Sequence, residues 1–108
     1  MRYRLLLPII LLFLQNTVAQ SINYETEIQP IFNNSCMPCH QGNNPSAGLD
    51  LSSYENVMAG SNSGDVINIG DYQNSLLWQE VSSGDMPNNI ANNSMSIPDL
   101  TSNEIELI

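Results

Sequence analysis

Positive charge is almost missing from this 108-residue chain: it has no lysine, and its two arginines, Arg2 and Arg4, both fall within the first four residues. Against them stand eleven carboxylates and a formal net charge of −9. Nucleic acid and anionic membrane surfaces would repel such a chain, which excludes both as partners. A protein with a basic face would be attracted, most strongly at low salt. Metal-ligating side chains are as scarce, with two cysteines and one histidine. A structural zinc site is therefore short of donors unless carboxylates complete it. There is no Gly-x-Ser-x-Gly, no phosphate-binding loop and no calcium loop with acids at alternate positions. The enzyme chemistry that those motifs carry has no support here.

What is present begins with a targeting pattern. Met1-Arg2-Tyr3-Arg4 is followed by an apolar run from Leu5 to Leu14, then by Thr17-Val18-Ala19 before Gln20. These are the charged, apolar and small-residue regions of a secretory signal peptide. The run is shorter than the about 20 residues that span a bilayer, and Pro8 interrupts it. Residues 1–19 are expected to be removed, leaving residues 20–108 as one exported domain, periplasmic or secreted, with no stable membrane insertion. No cysteine stands at the cleavage site to carry a lipid. A domain this small sits at the low end of what a hydrophobic core alone can stabilise.

Polar loop compositions at Asn43–Ser46, Gly60–Gly64 and Asn88–Ser96 separate four helix-length segments. Tyr24, Ile28, Ile31 and Phe32 form one helical stripe that Asn23 can cap and that Pro30 should kink. Ser52 and Glu55 read as a capping box for a helix carrying Tyr54, Val57 and Met58 and ending at Gly60. A third helix is expected from Asp71 to about Ser83, with Leu77 and Val81 on its inner face and Gly84 as its stop. Val66–Ile69 before it reads as extended chain. Thr101 and Glu104 form a second capping box, and the helix they open is expected to be truncated at Ile108. The fold class is therefore all-α.

Cys36-Met37-Pro38-Cys39-His40 uses both thiols and the one imidazole of the chain within five residues. Zinc, a thioredoxin-like dithiol and a plain disulfide are each conceivable. Each leaves something unexplained: ligands are too few, no βαβ setting exists, or His40 has no role. Covalent haem attachment uses all three residues. The two thiols bond the haem vinyl groups, and the next residue is held beneath the iron as its proximal ligand. Export agrees, because c-type haem is attached outside the cytoplasm, and one apolar haem c would supply the core that the polar chain lacks.

With no second histidine, a protein ligand on the other side of the iron must be a thioether. Met37 is held on the proximal side between the cysteines, and Met58 fits the apolar stripe of its helix. Met86, in Gly84-Asp85-Met86-Pro87, has no packing reason to be there and is the expected distal ligand, with Met95 the alternative.

At these residues the sequence resembles the class I cytochrome c family, and most of all the short c-type haem domains of exported planctomycete and Bacteroidetes proteins. The resemblance is carried by "PIFNNSCMPCH", "AGLDLSSYENVMAG", "SLLWQEVSSGDMP" and "LTSNEIELI". It implies a small cytochrome c fold of about four short helices and long loops around one haem c. Cys36 and Cys39 would carry the haem, His40 would be the proximal ligand and Met86 the distal one. It also implies that the first and last helices cross, bringing Ile28 and Phe32 against Ile105 and Ile108. Mitochondrial-type relatives dock through lysines, so docking here must be inverted or non-electrostatic. The expected function is single-electron transfer to a redox partner protein, without catalysis. The alternatives are a haem-based sensor with an open or weak sixth site, and the haem module of a larger dehydrogenase assembly.

Material matured in a host competent for cytochrome c assembly should carry the mass of one added tetrapyrrole, and thiol-alkylating reagents should label neither Cys36 nor Cys39. Labelling of both thiols would remove the haem reading altogether.

Overall fold

The computed structural model describes residues 21–108; the expected signal peptide, residues 1–19, lies outside them. Among the described residues are five short α-helices: α1 Gln29–Ser35, α2 Tyr54–Ala59, α3 Leu76–Ser83, α4 Asn89–Met95 and α5 Ser102–Leu107. Single 3₁₀ turns at Ser46–Gly48 and Tyr72–Asn74 punctuate the loops. No strand occurs among the described residues beyond an isolated bridge between Ser61 and Gly64. The all-α expectation holds, with one helix more than the sequence pattern suggests. No described helix is long and apolar enough to cross a membrane.

The expected kink at Pro30 takes a specific form. A wide π turn, Tyr24–Ile28, precedes α1, and the Gln29 N–H donates to Tyr24 O five residues back. Asn23 caps this turn, its Oδ1 accepting from Thr26 N at 3.2 Å. Pro30 then falls in the first turn of α1, where a missing N–H removes no helical bond. In an unbroken helix its ring would press on the carbonyl of Thr26, and the wider turn relieves that contact.

Two helix starts shift from their expected positions. The cap of α2 is Ser53, whose Oγ accepts from Asn56 N at 3.1 Å, and not Ser52 with Glu55. Ser52 is already committed, since its backbone N–H and its hydroxyl both donate to Asp50 Oδ1. Likewise α3 begins at Leu76 and not at Asp71. Ser75 is buried, and its Oγ accepts from Asn68 N at 2.7 Å, which holds its backbone extended and ends any helix begun earlier. Residues 66–69, expected as extended chain, instead begin in a bend at Val66, which is buried, and end in a turn at the exposed Ile69, where Asp71 N donates to Asn68 O at 3.0 Å.

The segment Asn88–Ser96, expected as loop, contains α4. Asn88 Oδ1 accepts from Ile90 N at 2.9 Å, a local side-chain cap that serves a helix as readily as a turn. The residues around it carry no apolar stripe, so periodicity could not reveal this helix. By contrast α5 starts where its motif indicates: Thr101 Oγ1 accepts from Glu104 N at 3.2 Å, and Glu104 Oε1 accepts from Thr101 N at 2.9 Å.

The core joins Ile28, Phe32, Leu49, Leu51, Val57, Val66 and Leu77, with Met37, Leu107 and Ile108 against its edge. As an element α5 makes its main helix contact with α3 and not, as expected, with the first helix, although Leu107 and Ile108 at its end meet the cluster that contains Ile28 and Phe32. Ile105 does not; it lines a separate cavity with Val81 and Met86, toward α3.

Asp50 supplies a pH signature for this architecture. Hydrogen bonds from the Ser52 hydroxyl and then the Ser52 amide hold its carboxyl below the ordinary carboxylate range. Because the folded value lies below the unfolded one, this stabilisation is present above the unfolded pKa and is lost as pH falls through the folded value. Denaturant unfolding of Asp50→Ala should therefore show a deficit against wild type at pH 7 that shrinks as the pH is lowered toward 3; a pH-independent deficit would contradict the assignment.

Candidate functional site

The path from α1 into the loop sets up the site. Cys36 caps α1, its N–H donating to Phe32 O at 2.9 Å, and the His40 N–H donates back to Cys36 O at 3.1 Å. The loop that follows is sewn to this turn: Ser46 N donates to Cys39 O at 2.8 Å, and Leu51 N to His40 O at 2.8 Å. Gly48 makes the bend in that loop at φ +68°, and a Cβ there would lie 2.2 Å from Asn62 Oδ1. Leu49 and Leu51 are buried on the far side and anchor it.

His40 Nδ1 lies 3.1 Å from Leu49 O. A carbonyl only accepts, so Nδ1 carries a proton, and in the neutral ring Nε2 is then the nitrogen with the lone pair available to a metal. This is the outer-shell arrangement that fixes tautomer and ring orientation in histidine metal ligands.

Met86 is placed by the end of α3. Gly84 adopts a left-handed conformation at φ +83°, and the Met86 N–H donates to Glu80 O at 3.0 Å. The loop therefore turns back on its helix. Cys36, Cys39, His40 and Met86 line one cavity of about 260 Å³, with Pro87 and Ile97. The four residues singled out from the sequence are thus brought to one place. Met95, the alternative, ends α4 with 48% of its surface exposed and is not among the residues lining this cavity. Met37 packs against the core, and Met58 lines a larger cavity of about 540 Å³ between α1, α2 and α3 that contains none of the site residues.

Ile97 and the Leu49 carbonyl escaped the sequence reading. A lone apolar residue between Ser96 and Pro98 was a usable sign for Ile97. No side-chain pattern reports a backbone acceptor.

Two competing chemistries fit this geometry poorly. Burial, with Cys39 beside it, pushes the Cys36 thiol up to about 11. A dithiol exchange site requires a thiol lowered toward neutrality. Nor do three His, Cys, Asp or Glu side chains converge on a point that could hold a metal ion among the described residues. The donors are instead spread around a cavity wall: two thiols, a correctly protonated imidazole and a thioether. That set fits a covalently attached haem.

A family model described as planctomycete cytochrome C matches residues 36–88, which begin at the first cysteine of the site and end just past Met86. Neither a curated protein nor a solved structure matches the chain.

The turn that carries Met86 is open to a direct check. Gly84→Val should lower unfolding free energy by about 1–2 kcal/mol, because a Cβ is disfavoured at this positive φ. Gly84→Asn, which tolerates the left-handed region, should recover most of the loss. Equal losses in the two variants would speak against a conformational cause.

Proposed function

We propose, from the premise that residues 36–88 belong to the planctomycete cytochrome C family, that this protein is an exported carrier of single electrons. The family implies a covalently bound haem c. When bound, that haem supplies a one-electron Fe(II)/Fe(III) couple.

In this reading Cys36 and Cys39 hold one haem through thioether bonds, His40 is the proximal ligand and Met86 the distal one. The observation that carries it is the His40 imidazole with Nδ1 committed to Leu49 O, in the same cavity as both cysteines and Met86. Leu49 holds the ring in one tautomer and strengthens it as a donor. Ile97 and Pro87 line part of the cavity with apolar surface. A thioether favours the ferrous state, and the surrounding carboxylates oppose it. With His40 and Met86 both held to the metal, no position would stay open to a substrate, which suits electron transfer and not catalysis. The acidic surface recruits a redox partner with a basic face; the chain has no lysine for the opposite arrangement.

A second reading, a sensor with a weakly held sixth position, draws on the exposure of Met86, 37% of its surface.

The two readings separate spectroscopically. The holoprotein should be low-spin with a weak near-infrared sulfur-to-iron band that Met86→Ala abolishes and Met95→Ala leaves intact. A high-spin wild type that binds carbon monoxide readily would favour the sensor; loss of the band in Met95→Ala would move the distal ligand while leaving the carrier function standing.

A further inference from the structure

Gln29 is a polar residue in the core, 7% exposed, and none of the roles given so far uses it. Its side chain is fully engaged. Oε1 accepts from Tyr24 Oη at 2.7 Å, and Nε2 donates to Asn33 Oδ1 at 3.0 Å and to Leu51 O at 2.9 Å. The last of these bonds reaches 22 residues along the chain, from α1 into the segment that supports His40.

We infer that Gln29 is a positioning residue for the His40 imidazole, acting through Leu49–Leu51; the inference rests on the reading of His40 as an iron ligand.

Three consecutive peptide groups in this segment are tied, two to His40 and the third to Gln29. Leu49 O accepts from His40 Nδ1, Leu51 N donates to His40 O, and Leu51 O accepts from Gln29 Nε2. The first two bonds join the segment only to His40 itself, so they move with it. Gln29 connects the segment to α1, whose C-terminal end carries Cys36. The buried side chains of Leu49 and Leu51 cannot substitute for this bond, because hydrophobic burial sets depth and has no directional preference. A directed N–H···O bond fixes the rotation of the Leu51 peptide plane, and through it the Leu49 carbonyl that aims the ring.

The donor is itself held. Burial, with a smaller contribution from Glu25, pushes the Tyr24 phenol up to about 12, so it stays protonated and orients the Gln29 amide throughout the ordinary pH range. An amide buried here would cost stability unless bonded, and its full satisfaction makes the network rigid.

The test uses the holoprotein and Gln29→Met, which keeps volume and removes the bond. The Leu51 amide should exchange with solvent roughly tenfold faster. In the ferrous Met86→Ala background the iron–imidazole stretch should move to lower frequency, and in the Met86 protein the reduction potential should rise, as a less basic imidazole favours ferric iron less. Val57→Ala, a core truncation in α2, should lower stability without moving either signature. Should Gln29→Met fail to assemble, Tyr24→Phe serves instead, with smaller shifts in the same directions. Unchanged stretch and potential, or equal shifts in Val57→Ala, would overturn the inference. Absence of any iron–imidazole stretch with Gln29 intact would overturn the ligand reading first, so the two failures are distinguishable.

Discussion

The contact between His40 Nδ1 and the Leu49 carbonyl is the constraint on which the rest of the molecule turns. It decides which imidazole nitrogen keeps a lone pair, and it requires the chain to return past His40 within nine residues. That return is made by an irregular loop with a left-handed bend at Ala47–Gly48, pinned by backbone bonds to Cys39 and His40. Much of the fold before α2 exists to hold this loop against α1.

The remaining elements fall into two sets around that centre. On one side, α1 and the end of α5 share the core that backs the Cys36–His40 turn. On the other, α3 ends in a left-handed glycine, and the reversing loop brings Met86 to the same cavity. Among the described residues the buried cluster has seven members, a small core for a domain of this kind. A covalently held apolar cofactor would complete such a core in the way that metals complete other small domains.

Charge shapes how this molecule meets others. No cation follows Arg4, and the carboxylates are spread from Glu25 to Glu106. Any association through the face near Met86 proceeds without lysines on this side, so a partner drawn by charge would have to supply the basic face.

The sequence by itself determined the grouping of Cys36, Cys39 and His40 and most of the regular parts. Cys36, Cys39 and His40 are adjacent along the chain, so their proximity needs no folding to be known. Apolar stripes and capping boxes are local too, and α1, α5 and the Gly84 stop follow from them. Only the tertiary structure decided which residues far apart in sequence act together. Ser52 was lost as a cap to Asp50, and Ser75 ended a helix by bonding Asn68, because a polar side chain takes whichever partner the fold brings closest. α4 was invisible for want of an apolar stripe. The Leu49 carbonyl and the Gln29 amide belong to the same class: backbone acceptors leave no mark in composition, and a glutamine is read as surface until a segment 22 positions along the chain folds back and buries it.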